Sequence, residues 1–107
     1  MLQVQKRVAD FVAEYHLETA PADRLLDLVS EIGELAKEYL KATHYGTENF
    51  NPSDSWRDEL GDVYFSLLCI ANSTGFDLAG ALNDALSKYA SRLEIKGSAG
   101  SGDESAI

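Results

Sequence analysis

Two short acidic motifs combine residue types and a spacing that could bind a metal ion. Glu31 and Glu34 stand three residues apart, as do Glu59 and Asp62, and the surrounding sequences match, EIGE against ELGD. At about 100° per residue, each pair lies within a narrow arc of a helix, beside its apolar stripe. Like charges at this spacing repel one another, and desolvation strengthens the repulsion. One such pair is usually a solvated helix face, whereas two matched pairs indicate a site.

Four carboxylates that converge from neighbouring helices need a cation to be stable. Hard oxygen ligands in this number suit Mg²⁺, which takes a few carboxylates and completes its shell with water and phosphate oxygens. The chain has 18 acidic and nine basic residues and a net charge of −9, which argues against nucleic-acid and anionic-membrane partners. A small phosphorylated substrate remains compatible with this charge, because a metal ion would bridge the two negative partners.

Four apolar stripes at helical spacing predict the elements that position these acids. The first covers about residues 1–17, and the second runs from Asp23, a predicted N-cap, to about residue 43. The third begins with a cap among residues 53–55 and ends at Gly75, and Asp77 caps the fourth. Residues 44–55 have no regular spacing of apolar residues and contain many turn-forming residues, which predicts a loop. The sequence therefore predicts an all-α, antiparallel four-helix bundle.

The length of 107 residues predicts one domain, residues 1–95, followed by a disordered Gly/Ser-rich acidic tail, residues 96–107. So short a chain buries a modest core and is expected to form at least a dimer. Cys69 is the only cysteine, which excludes an intrachain disulfide and predicts a small core residue. The N-terminus has the pattern of neither a signal peptide nor a membrane span, so we expect a cytoplasmic protein.

The two acidic motifs together resemble the MazG-like family of nucleotide pyrophosphohydrolases, within the all-α NTP pyrophosphatase superfamily. The resemblance covers roughly residues 25–92 and includes LVSEIGELAKEYLK and DELGDVYFSLLCIANSTGFDLAGAL. It implies a helical bundle assembled as a homodimer or homotetramer, with Mg²⁺ held by four acids that also carry the catalysis: Glu31, Glu34, Glu59 and Asp62. It further implies hydrolysis of a ribo- or deoxynucleoside triphosphate to the monophosphate and pyrophosphate, a reaction suited to nucleotide-pool cleaning.

Three positions depart from the pattern of this family. Its members often have an acid where this chain has Ser30, and a lysine and an asparagine where it has Ala85 and Tyr89. The arginine of the last helix is kept as Arg92, and Lys88 lies one turn before it. We expect Lys88 and Arg92 to bind the substrate phosphates, since positioned cations stabilise the charge that develops there.

Four aromatic residues are candidates for stacking against a nucleobase. For Trp56 and Tyr89, which are on helices, packing in the core is the commoner role for such residues. Tyr45 and Phe50 fall in the predicted loop, where both roles stay open.

Several alternatives stay open at the level of sequence. Glu31, Glu34 and Glu38 are all candidates for orienting or deprotonating the attacking water. Gly33 and Gly61 interrupt two helices at a cost of about 1 kcal/mol each, which favours a close approach of helices at these points. The departures from the family pattern favour a non-catalytic dimerisation or interaction module, whereas the intact acids favour an enzyme. The same bundle also resembles the phosphoribosyl-ATP pyrophosphohydrolases, which act on a different substrate.

Overall fold

The computed structural model describes residues 3–96, and this part of the chain contains four helices and no strand. The helices are α1 (Gln3–Glu14), α2 (Pro21–Ala42), α3 (Asp54–Thr74) and α4 (Leu78–Lys96). The predicted all-α architecture is confirmed. The predicted tail lies outside the described residues, apart from Lys96 at the end of α4. None of the four described helices is by itself long and apolar enough to cross a membrane. Only α3 and α4 together, taken as one bent segment, have the length and apolar composition of a membrane span.

The start of α2 differs from the prediction. The helix begins at Pro21, and the N-cap is Ala20, which makes no side-chain capping bond. Proline is well suited to the first helical turn, because the N–H it lacks would have no partner there. Asp23, the predicted N-cap, lies instead in the first turn, where its charge suits the helix dipole. Its carboxylate accepts a hydrogen bond of 2.7 Å from the Thr19 hydroxyl.

The corner between α3 and α4 follows the prediction. Gly75 ends α3 in the left-handed conformation, with φ of 78°, which favours glycine because it has no Cβ. The backbone N–H of Gly80 donates to the Asp77 carboxylate at 3.2 Å, so Asp77 caps α4 as predicted. The chain bends by 103° at this corner, and α4 therefore crosses the direction of α3 instead of running back along it.

The main packing contact of the fold is the hairpin of α2 and α3. The two helices are antiparallel, since the end of α2 and the start of α3 meet at the connecting loop while Arg24, near the start of α2, lies beside Cys69. α1 packs on the same α3, with Phe11 and Phe65 in an edge-to-face contact at 6.1 Å. α3 is therefore the central helix, and it carries the buried core residues Ser66, Leu68, Cys69 and Ala71.

Cys69 lies in this core, as the sequence predicts, and only 3% of its surface is exposed. Burial raises the pKa of its thiol, and the nearby Asp27 acts in the same direction while Arg24 opposes both. A neutral, buried thiol with a raised pKa is a packing residue rather than a nucleophile.

One buried glutamine joins α1 to the corner between α3 and α4. Gln5 is completely buried, and its amide N–H₂ donates to Asn72 Oδ1 at 3.1 Å and to the carbonyl of Phe76 at 2.9 Å. Its Oε1 accepts from the backbone N–H of Leu78 at 2.8 Å. Asn72 in turn donates to the backbone carbonyl of Gln5 at 2.9 Å. Every hydrogen-bonding atom of this side chain thus stabilises the position at which the chain turns into α4.

Much of the apolar surface of α2 and α4 stays exposed in a single chain. On α4 the exposed stripe consists of Leu82, Leu86, Tyr89 and Leu93. On α2 the exposed apolar residues include Leu25, Leu26, Val29 and Ile32. A monomeric protein rarely exposes apolar stripes of this extent.

The two mid-helix glycines do not mark a close approach within the chain. A Cβ added at Gly33 or at Gly61 would meet no neighbouring atom within 4 Å. The expectation that the two helices approach each other at these glycines is therefore wrong for one chain. Both positions face open space, beside exposed apolar side chains such as Val29 and Tyr64.

Candidate metal and substrate site

Three of the four predicted acids come together between α2 and α3. Glu31 on α2 and Glu59 and Asp62 on α3 each place a carboxylate oxygen within 4.8 Å of the other two. Glu31 and Glu59 are half-buried at the margin of the helix contact, whereas Asp62 is exposed. We refer to Glu31, Glu59 and Asp62 as the three-acid centre. Its members come from facing positions on two antiparallel helices, so the packing of the hairpin determines their spacing.

Glu34 lies at the edge of this centre. Its side chain is exposed and it does not belong to the group of three, but its charge acts on Glu59. Glu38, one turn further along α2, is half-buried and acts on Glu59 in the same way. The structure therefore brings Glu31, Glu59 and Asp62 together and leaves Glu34 and Glu38 as neighbours on the α2 side.

The electrostatics of the centre are those of a site that lacks positive charge. Partial desolvation raises the pKa of the Glu59 carboxyl, and the surrounding acids raise it further, in the order Asp62, Glu31, Glu34 and Glu38. No cation is among the charges that the described residues bring to bear on Glu59. Nothing about folding calls for this arrangement, because like charges held together weaken the folded state.

The donor set fits Mg²⁺. Around an octahedral Mg²⁺ ion, adjacent ligands lie about 3.0 Å apart and opposite ligands about 4.2 Å apart, because each Mg–O distance is about 2.1 Å. One oxygen from each of the three carboxylates lies within 4.8 Å of the other two, so the three would hold one ion after moving closer together. Three carboxylates also leave positions for water and for phosphate oxygens, as is usual for Mg²⁺ in enzymes that act on phosphates.

The predicted phosphate ligands on α4, Lys88 and Arg92, lie together around the ring of Tyr89. The ammonium of Lys88 lies 5.1 Å from the ring centroid of Tyr89, and the guanidinium carbon of Arg92 lies 5.9 Å from it. Both distances are typical of cation–π contacts. Neither cation is among the charges that act on Glu59. Lys88 and Arg92 thus share one face of α4, on either side of Tyr89.

Three aromatic rings meet at the loop end of the hairpin. The ring centroid of Phe50 lies 4.9 Å from that of Tyr39 and 4.9 Å from that of Trp56. Tyr45, the other aromatic of the loop, is 72% exposed. The sequence did not indicate the part played by Tyr39, because its position agrees with the apolar stripe of α2 and only the path of the loop brings Phe50 onto it.

The comparisons with known proteins agree with this geometry. Residues 20–94 match the model of the MazG nucleotide pyrophosphohydrolase domain. An uncharacterised protein of Bacillus subtilis strain 168, YpjD, is 31% identical over 94 residues, which cover 84% of this chain and 79% of that protein. The crystal structure of the Bacillus-conserved MazG protein, a nucleotide pyrophosphohydrolase, superposes with a TM-score of 0.68 and 33% identity over 80% of this chain and 84% of that one. The matched region contains both acidic helices, and the chain belongs to the family of MazG nucleotide pyrophosphohydrolase domains.

Proposed function

We propose that this protein is a Mg²⁺-dependent nucleoside triphosphate pyrophosphohydrolase that produces a nucleoside monophosphate and pyrophosphate. The observation that supports this most directly is the three-acid centre, because three carboxylates within 4.8 Å of one another repel until a cation joins them. Membership of the MazG family supports the reaction class.

The acids and the tryptophan near them have distinct roles in this reaction. Glu31, Glu59 and Asp62 would hold the metal, which when bound neutralises phosphate charge and stabilises the pyrophosphate that leaves. Glu34 and Glu38 lie beside the three-acid centre without belonging to it, so either can orient a water molecule or accept its proton. Trp56 lies one helical turn before Glu59 and is available to the nucleobase.

The proposal includes a second copy of the chain, in a homodimer or a homotetramer. The exposed stripe Leu82, Leu86, Tyr89 and Leu93 on α4 and the exposed apolar residues of α2 favour subunit contacts. A second copy would offer the substrate the cations of a second α4, Lys88 and Arg92, which are not among the charges that act on Glu59 of their own chain. We expect sedimentation at micromolar concentration to show at least a dimer, and Leu86→Asp to shift it towards the monomer. A wild-type monomer would contradict the assembly but not the metal site.

Pyrophosphate release with defined variants tests the reaction. The purified protein is incubated with Mg²⁺ and a panel of ribo- and deoxynucleoside triphosphates, and the products are identified. We expect the monophosphate and pyrophosphate from at least one of them. We expect Asp62→Asn to abolish release without loss of helical signal, and one of Glu34→Gln and Glu38→Gln to do the same. Asp58→Asn is the matched control, because Asp58 is an exposed acid of the same helix that does not belong to the three-acid centre.

The opposite outcome has a definite meaning. If the wild-type protein neither releases pyrophosphate across the panel nor is stabilised by Mg²⁺, the non-catalytic module is the correct interpretation. Phosphoribosyl-ATP is incubated in parallel, and release from it alone would instead assign the substrate of the phosphoribosyl-ATP pyrophosphohydrolases.

A further inference from the structure

The loop between α2 and α3 returns a phenylalanine to the end of the hairpin near the acids. Phe50 packs between Tyr39 and Trp56 at centroid distances of 4.9 Å on each side, with interplanar angles of 50° and 72°. We refer to Tyr39, Phe50 and Trp56 as the aromatic cluster. Phe50 and Trp56 are half-buried and Tyr39 is 43% exposed, so part of the cluster is accessible to a ligand.

The aromatic cluster borders the three-acid centre. Trp56 precedes Glu59 by three residues on α3, and side chains at this spacing on a helix are neighbours, about 5 to 6 Å apart. Tyr39 directly follows Glu38, whose charge acts on Glu59. A nucleotide whose phosphates lie at the acids would therefore have its base within reach of these rings.

The backbone of the loop fixes where Phe50 enters the cluster. Thr43, which is 1% exposed, donates its hydroxyl to the carbonyl of Tyr39 at 3.0 Å and accepts from the N–H of Gly46 at 3.0 Å. His44, Tyr45 and Gly46 follow in succession with positive φ, which reverses the chain tightly. Phe50 is thus placed by an ordered turn, and its ring has a defined contact on each side.

We propose that Phe50 is a positioning residue for nucleobase recognition: it holds the Trp56 ring, and with it the aromatic cluster, in the orientation on which the base of the substrate stacks. This inference rests on the proposed function. The ring contacts of Phe50 are with Tyr39 and Trp56 and not with a member of the three-acid centre, so we expect its effect to be confined to the binding of the base. An edge-to-face pair is worth up to a factor of about ten beyond the area that it buries, and this sets the size of the expected effect.

The sole tryptophan of the chain allows a direct test. Trp56 fluorescence is titrated in the presence of Mg²⁺ with nucleoside triphosphates whose α,β-bridging oxygen is replaced by an imido group, so that binding is measured without turnover. Tripolyphosphate, which has no base, is titrated in parallel by calorimetry. For Phe50→Ala we expect the Kd of the preferred nucleotide to rise about five- to tenfold and the quenching of Trp56 to decrease, with the Kd of tripolyphosphate unchanged. Phe50→Leu should show a smaller rise, because it keeps the volume but not the ring contact.

The control variant is Phe76→Ala, which removes a 70% exposed ring of the same residue type at the corner between α3 and α4, outside the aromatic cluster and its loop, and should leave both Kd values unchanged. In turnover, Phe50→Ala should raise KM more than it lowers kcat.

Three results would overturn the proposal: an unchanged nucleotide Kd in Phe50→Ala, an equal loss of nucleotide and tripolyphosphate binding, or no response of Trp56 to any nucleotide in the wild type. Binding with quenching but no pyrophosphate release from the natural nucleotides would contradict the proposed reaction and leave the role of Phe50 standing.

Discussion

Replacement of Gln5 by alanine should destabilise the protein strongly, although the residue lies on a terminal helix. The substitution removes three side-chain hydrogen bonds, to Asn72 Oδ1, to the Phe76 carbonyl and from the Leu78 N–H. The bond from Asn72 to the backbone carbonyl of residue 5 does not depend on the side chain and is kept.

The magnitude follows from the three bonds that the completely buried Gln5 side chain makes. A buried polar group that loses its partner costs about 1 to 3 kcal/mol, and water entering the vacated space lowers the cost towards the smaller value. Three groups at about 1 kcal/mol each give about 3 kcal/mol, a large part of the roughly 5 to 15 kcal/mol by which a domain is stable. The melting temperature should fall by roughly 12 to 24 °C, at about 4 to 8 °C per kcal/mol.

Urea denaturation followed by circular dichroism measures this difference. Gln3→Ala is the matched control, because Gln3 is the same residue type on the same helix but exposed, and it should change the free energy of unfolding by less than about 0.5 kcal/mol. All variants are compared at one protein concentration, since association would add to the measured stability. If Gln5→Ala is no less stable than Gln3→Ala, the corner does not depend on this side chain and our account of it is wrong.

Four further outcomes are expected. Mg²⁺ should raise the melting temperature of the wild type; at a Mg²⁺ concentration of a hundred times the Kd, the stabilisation is about 2.7 kcal/mol. Mg²⁺ should stabilise Asp62→Asn less, and equal stabilisation of both proteins would show that Asp62 is not a metal ligand. Without metal at pH 7, Glu59→Gln should be more stable than the wild type. The raised pKa of Glu59 means that its ionisation weakens the folded state, so this gap should close in pH-dependent unfolding as the pH falls through the raised pKa towards the ordinary range of glutamate; a gap independent of pH would contradict the electrostatic cause. Arg92→Ala should weaken turnover but keep Mg²⁺-dependent stabilisation, as steady-state rates and thermal melts would show together. Gly75→Ala should cost about 1 to 2 kcal/mol of unfolding free energy, because alanine is strained at a φ of 78°, and an unchanged denaturation midpoint would contradict this.

The sequence was sufficient to predict the helices and their ends, because these depend on local periodicity and capping residues. Apolar spacing identified all four helices, and the caps at Gly75 and Asp77 lie where their chemistry requires them. The start of α2 was misplaced because two signals competed, and the proline preference for the first turn prevailed over the capping preference of Asp23. Local signals of this kind fix a helix boundary to within a few residues.

What depends on long-range packing could not be predicted in the same way. The apolar stripe of α4 shows which face is apolar but not what covers that face. The direction in which α4 leaves α3, at a bend of 103°, could therefore not be predicted from the sequence. The acidic spacing predicted that the two pairs would converge, but not that Glu34 would stay at the edge of the three-acid centre. The contact of Phe50 with Tyr39 depends on the path of an aperiodic loop, for which periodicity gives no information.

Because the single cysteine is buried, its rate of reaction with a thiol reagent reports local opening of the α2–α3 hairpin. Cys69 lies near the end of the α2–α3 hairpin opposite to the loop, and a thiol reagent can reach it only when the packing around α3 separates. The rate at which it is labelled therefore measures how often that end opens. If the hairpin opens only as one unit, a cation that joins the acids of the two helices will slow labelling at a residue that it does not touch. If the two ends open independently, the cation will not change the labelling rate, and the hairpin will consist of two units that open separately.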